Sequence, residues 1–302
     1  MTVTPAMIHA RSLVKQYDGF RALDGVGFDL EDHGIFGVIG HNGAGKTTLL
    51  KIMAGLLAPD SGTLHVDGID VLADPAALKA RLGYLPEESR LYDTMTVEDY
   101  LSFFGEIYGL DRATIGMRRD RLLASLALEP EGKKIGELSK GMRRKVAIAR
   151  SLIHDPSVLV YDEPTSGLDP MTSRYIAEYL RSLRDRQHKT VILSAHNLYQ
   201  VEEICDRVMI LRRGKTAAFG SMAELREVFG SIRYQVHFAI DDPGRLAGVL
   251  DCTPDHGLYV TLVHEIDALN EVSACIAGAG GTVRRIESQY PSLEEMLVKI
   301  GK

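Results

Sequence analysis

The chain has few cysteines, no excess of positive charge, and no apolar run near the roughly 20 residues that cross a bilayer. Each absence removes a class of protein. Cys205, Cys252 and Cys275 are odd in number and far apart, which fits neither a disulfide framework nor a metal site, so reduced, partly buried thiols are expected. The N-terminal "MTVTPAMIHARSL" lacks the apolar centre of a secretion signal, which places the chain in the cytosol or on a membrane reached through another protein. A formal net charge of −6 argues against a broad nucleic-acid footprint, even though "GELSKGMRRKVAIARSL" gathers Lys140, Arg143, Arg144, Lys145 and Arg150. Repeats, low-complexity tracts and long linkers are also missing.

What is present describes a globular protein. Hydrophobic residues make up 45% of its 302 residues and charged ones 25%, enough for a sizeable core and for two domains. "GIFGVIG", "SVLVYDE" and "KTVILSAH" have the continuous apolar character of buried parallel strands, and "NLYQVEEICD" after the third is a helix. Between about 96 and 153 helical periodicity takes over, as in a helical insertion within an α/β domain. Past Gly230 the pattern changes: Ile232, Tyr234, Val236, Phe238 and Ile240 alternate as in a half-buried strand. "GLYVTLV", a helix with Leu269, Val272 and Ile276 on one face, and "TVRRIES" follow. In "PSLEEMLVKI" Ser292 and Glu295 have capping-box spacing ahead of the stripe Leu293, Met296, Leu297 and Ile300. The expected division is 1–229, with a helical subdomain at about 88–153, and a small α/β domain of ferredoxin-like type over 230–302.

Two stretches carry phosphate chemistry. "GHNGAGKTT" fits G-x-x-x-x-G-K-[ST] between a strand and the helical "LLKIMAGLL". Glycines let such a loop curl so that its N–H groups point inward, and the helix start adds a positive dipole end. Lys46 is then placed for the β- and γ-phosphates and Thr47 for Mg²⁺. In "VLVYDEPTSGLD", Asp162 at the strand end is placed to bind Mg²⁺ through water, and Glu163 is a candidate base for an attacking water. His196 ends the next strand and is placed for a γ-phosphate contact.

Tyr17 in "LVKQYDGF", the loop at 40–48, "LSKGM", "VLVYDE", "SGLD" and His196 occur in the order and spacing of ABC-transporter nucleotide-binding subunits, which this sequence resembles over about 7–225. The resemblance implies a RecA-like P-loop NTPase core with the ABC helical subdomain. It implies that Tyr17 stacks on the adenine of ATP and that Gly40, His41, Asn42, Gly43, Ala44, Gly45, Lys46, Thr47 and Thr48 hold its phosphates. Thr47, Asp162 and Glu87 are the implied Mg²⁺ residues, Glu163 the base and His196 the γ-phosphate contact. Ser139, Lys140 and Gly141 are implied to meet the ATP of a second subunit, and Asp169, in "SGLD", is also implied to bind ATP.

Two departures stand out. In "GYLPEES", Glu87 replaces the glutamine with which many members touch Mg²⁺ and the attacking water. A like charge at about 8 Å and an effective dielectric of ~20 costs about 2 kcal/mol, so this carboxylate needs Mg²⁺ nearby or must turn away. Similar export-type subunits often carry glutamate here. In the signature, usually L-S-G-G-Q, Lys140 and Met142 replace glycine and glutamine, while Ser139 and Gly141 remain. Met142, Val146, Ala149 and Ile153 form the expected buried stripe, leaving Arg143, Arg144 and Arg150 mostly solvated.

One copy of each motif makes two half-sites and no complete one, so the resemblance implies a second ATP-binding subunit, a homodimer in the simplest case. It also implies a separate integral-membrane permease, with this chain peripheral on the cytoplasmic face of the membrane. The segment after 230, with its "PSLEE", is similar to the small domain appended to ATPases of ABC-2-type exporters. DNA-repair and chromosome ATPases share the P-loop chemistry, but no long heptad region separates Lys46 from Ser139. A nucleotide-gated regulator or scaffold would use the same ATPase residues and stays open at this level.

Overall fold

The computed structural model describes residues 7–30, 33–229 and 233–301, and the chain divides into two compact units, 1–222 and 223–302. In the first, β1 (Ile8–Tyr17), β2 (Phe20–Leu30) and β3 (Ile35–Ile39) lead into α1 (Lys46–Met53), β4 (Ser61–Val66), β5 (Ile69–Asp70), α2 (Pro75–Arg81) and β6 (Leu82–Leu85). Three helices follow, α3 (Val97–Ile107), α4 (Arg112–Ser125) and α5 (Lys140–Leu152). The unit ends with β7 (Val158–Tyr161), α6 (Pro170–Gln187), β8 (Thr190–Ser194), α7 (Leu198–Ile204), β9 (Arg207–Arg212) and β10 (Lys215–Gly220).

Its central sheet has the order β10-β9-β3-β8-β7-β6, parallel except for β10. Every residue of β3, β7 and β8 is buried, which is why these strands read as unbroken apolar runs and not as alternating ones. Val38 pairs with Ser194, and Tyr161 with Leu193, so the three strands end at nearly one level. The carboxyl ends of parallel strands are where open α/β sheets bind ligands.

A second sheet, β2-β1-β4-β5, is antiparallel and buries Ile8, Ala10, Leu13, Phe28, Leu64 and Val66. Its alternation fails partway: the β1–β2 register shifts between Ala10 and Leu13, where Ser12 has φ 48°. The helical insertion is present as α3, α4 and α5, whose first turns are capped by Thr96, Asp111 and Ser139.

The second unit contains α8 (Met222–Phe229), which begins at the division, then β11 (Arg233–Ala239), β12 (Thr253–Asp255), β13 (Leu258–Val263), α9 (Ala268–Gly278), β14 (Thr282–Gln289) and α10 (Leu293–Gly301). The division thus falls one helix before the expected boundary. Chemistry accounts for this: the Lys299 ammonium donates to the Phe229 carbonyl, and the Arg226 guanidinium lies 5.1 Å from the Tyr290 ring centre. Gly230 and Ile232 lie outside the described residues. The strand order β12-β13-β11-β14 around Val236, Phe238, Leu246, Val263 and Ile276 is that of a ferredoxin-like sheet, but the first of its two helices is reduced to a 3₁₀ turn at Pro243–Leu246. Ser292 and Glu295 form the expected reciprocal cap, each side chain accepting from the other's backbone N–H at 3.3 Å. All three thiols are free; Cys205 is buried and its acidity is suppressed by that burial.

Candidate functional site

The chain leaves β3 through a loop that returns on itself. Gly45 has φ 108°, and a Cβ there would lie 2.4 Å from the Ala22 carbonyl oxygen, so both the dihedral and the space require glycine. The loop delivers Lys46 to the start of α1, where it is 7% exposed and its Nζ donates to the carbonyls of Gly40 (2.8 Å) and His41 (3.3 Å). Burial lowers the ammonium pKa, against the opposing pull of Glu163, Asp162 and Glu87. Tyr17, Asn42, Gly43, Ala44, Gly45, Lys46, Thr47, Thr48, Glu87, Glu163 and His196 line one cleft of 460 Å³. Tyr17 offers an exposed ring there, with the Lys15 ammonium 5.7 Å from its centre.

Asp162 and Glu163 follow β7 directly. Asp162 is 2% exposed, and its Oδ1 accepts from the Ser194 hydroxyl at 2.5 Å. That hydroxyl also accepts from the Glu163 backbone N–H at 3.0 Å, so the end of β8 fixes both acidic residues. Glu163 has φ 47°, a left-handed backbone conformation, and its side chain lines the cleft. Its Oε1 lies 2.6 Å from His196 Nε2. Burial raises the Glu163 pKa, with Glu87 and Asp162 adding to the rise and His196 and Lys46 working against it. A carboxylate moved toward neutrality beside an imidazole suits proton transfer.

Sequence reasoning missed Ser194 and misplaced Arg144. Arg144 was expected among solvated arginines, yet it is buried, and its Nε, Nη1 and Nη2 all donate to backbone carbonyls at the ends of two strands. The neighbouring cations are engaged too: Arg143 pairs with Asp93 at 2.7 Å, Lys145 sits 4.1 Å over the Tyr175 ring, and Arg150 donates to the Tyr100 hydroxyl at 3.2 Å. Of the expected stripe, Val146, Ala149 and Ile153 are buried and Met142 is half-buried.

Ser139, Lys140, Gly141 and Asp169 are not in the cleft around Lys46. They line a second one of 300 Å³, together with Gly167 and Thr172. Ser139 caps α5 by accepting from Met142 N–H at 3.2 Å, and Asp169 caps α6 by accepting from Thr172 N–H at 2.9 Å. The Lys140 ammonium crowds Gly167, where a Cβ would lie 2.2 Å from Nζ.

Comparison with known proteins identifies the family. Residues 23–166 match the ABC transporter family. The ABC transporter ATP-binding protein NatA of Bacillus subtilis (strain 168) is 40% identical over 209 residues, covering 68% of this chain and 85% of that protein. The Nod factor export ATP-binding protein I of Ralstonia nicotianae is 39% identical over 220 residues, covering 72% of this chain and 68% of that protein. A solved ATP-binding subunit of an ABC transporter superposes with TM-score 0.68 at 30% identity, covering 74% of this chain and 93% of its own. With a relative 40% identical over most of its length and residues 23–166 matched to the family, the chain belongs to the ABC transporter family as an ATP-hydrolysing subunit.

Proposed function

We propose that the chain powers an export system: two copies close head to tail on ATP, each P-loop cleft meeting the partner's signature cleft, and hydrolysis reopens them against a separate membrane permease. The observation that carries this reading is that the P-loop residues and the signature residues Ser139, Lys140 and Gly141 line different clefts of one chain. No helix among the described residues is long and apolar enough to cross a membrane, so work on a membrane requires a permease. The chain then sits peripherally on the cytoplasmic face. Export is favoured by the likeness to the Nod factor export protein.

In the closed site Tyr17 stacks on adenine, the 40–48 loop directs its N–H groups at the phosphates, and Lys46 exchanges its carbonyl partners for them. Glu163 holds the attacking water and takes its proton, with His196 beside it. Glu87, Asp162 and Glu163 bear on one ammonium, Lys46, which leaves acidic charge that suits a divalent cation. Among the described residues no group of three His, Cys, Asp or Glu side chains could hold a metal alone, so hydroxyl, water and phosphate ligands are needed, the set Mg²⁺ prefers. Thr47, Asp162 and Glu87 are the residues that would hold it. Bound there, Mg²⁺ would neutralise charge on the phosphates.

Glu163→Gln tests both halves of the proposal. Loss of a positioned base should lower turnover about 10² to 10⁴-fold and trap an ATP-bound dimer, visible by size-exclusion chromatography. Purified from detergent-solubilised membranes in ATP, that variant should carry a protein with several hydrophobic spans. A variant that stays monomeric in ATP while the wild type dimerises would refute the closure mechanism. An exclusively soluble chain would favour a nucleotide-gated scaffold.

A further inference from the structure

Arg144 is an unusual cation: it is 8% exposed and, among the described residues, forms no salt bridge with a carboxylate. Nε donates to Pro164 O (2.8 Å); Nη1 donates to Pro86 O (2.8 Å), Glu87 O (3.0 Å) and Ser89 Oγ (3.4 Å); Nη2 donates to Asp162 O (3.0 Å) and Glu163 O (2.6 Å). A buried guanidinium is tolerable only when its donors are satisfied, and here carbonyl dipoles from two strand ends do so. Burial brings its pKa down to about 10, which leaves it charged at neutral pH. The planar fork matters because a lysine ammonium could not span both strand ends.

Those two strand ends hold the acidic residues of the P-loop cleft. Pro86 and Glu87 follow β6, while Asp162, Glu163 and Pro164 follow β7. The side chain that joins them comes from α5, whose cap is Ser139. Arg144 lies five positions after Ser139, a rise of roughly 7.5 Å through a rigid element. We infer that Arg144 is a positioning residue that couples the two clefts: ATP held by the partner's P-loop against Ser139 sets α5, and α5, through Arg144, sets Glu87, Asp162 and Glu163 for this chain's own ATP. This rests on the proposed role of Glu163 and adds a path by which one site reads the occupancy of the other.

The test uses the full chain. Wild type, Arg144→Gln, Arg144→Lys and Glu163→Gln are compared for kcat, KM for ATP and binding of a fluorescent ATP analogue. The double variant Arg144→Gln/Glu163→Gln is compared with Glu163→Gln for ATP-driven dimer formation. Misplacement of the carboxylates should lower kcat about 100-fold in Arg144→Gln, and about 10-fold in Arg144→Lys. KM and analogue affinity should stay within about threefold, and the double variant should dimerise like Glu163→Gln. A staple needed only for folding would instead lower binding and turnover together. The inference is overturned if Arg144→Gln turns over within about threefold of wild type, if binding falls in step with kcat, or if the double variant fails to dimerise. Should Arg144→Gln not fold, Arg144→Lys decides: a lower kcat at unchanged KM supports coupling, and an unchanged kcat overturns it. Wild-type turnover by Glu163→Gln would sink the assignment of the base, whatever the Arg144 variants do.

Discussion

At the residue scale, the site depends on side chains whose polar atoms are used more than once. The Ser194 hydroxyl gives its proton to Asp162 and takes one from the Glu163 N–H, with no exposure to solvent. Alanine would leave a carboxylate oxygen and a backbone donor buried without partners, at about 1–3 kcal/mol for each. Ser194→Ala should therefore lose at least ~2 kcal/mol in urea unfolding, and Ser194→Thr should retain most of that stability. Neither Ser194 nor Arg144 was legible as a site residue. Ser194 closes a short apolar run, and Arg144 belongs to a run of cations whose neighbours face elsewhere. The 40–48 loop and the Asp162–Glu163 pair were legible because their chemistry is local: a curl that demands glycine at 45, and carboxylates directly following a buried strand.

At the scale of elements, β3, β7 and β8 were visible because burial on both faces leaves their central residues almost wholly apolar. The sheet β2-β1-β4-β5 was not read from sequence, since the shift at Ser12 breaks the alternation that would have announced it. The 3₁₀ turn at Pro243–Leu246, too short for a helical period, escaped for a similar reason. Where the helical insertion meets the sheet, an aromatic contact gives a testable pH dependence. The His154 ring stacks on Tyr108, which caps α3, with centres 3.8 Å apart, and its Nε2–H donates to the Leu82 carbonyl of β6 at 3.2 Å. Burial pushes its pKa from 6.5 down to about 4. The folded chain thus keeps His154 neutral while the unfolded chain protonates it below its ordinary value. Its contribution to stability is complete above that value and is lost as pH falls toward the folded pKa. Wild type should lose about 2 kcal/mol more between neutral pH and pH ~5 than His154→Phe, which keeps a stacking ring without the proton. Urea midpoints at the two pH values measure the difference.

At the scale of the molecule, every ATP motif lies in the first unit, while the second has a core of its own around Phe238 and Ile276. Within the first unit the P-loop and the signature never share a cleft, and this separation has a consequence in genetics. A chain spoiled by Lys46→Ala still carries a sound signature, and one spoiled by Ser139→Arg still carries a sound P-loop. Each should be inactive by itself. Mixed in equal amounts, half of the pairs should be hybrids, and each hybrid has one site with both defects and one with none. Independent sites would return about a quarter of wild-type ATPase; coupling through Arg144 should hold the mixture below that yet above either variant alone, a complementation that no site complete within one chain could give. Activity that stays at the level of the separate variants would mean that the two clefts do not meet across a pair.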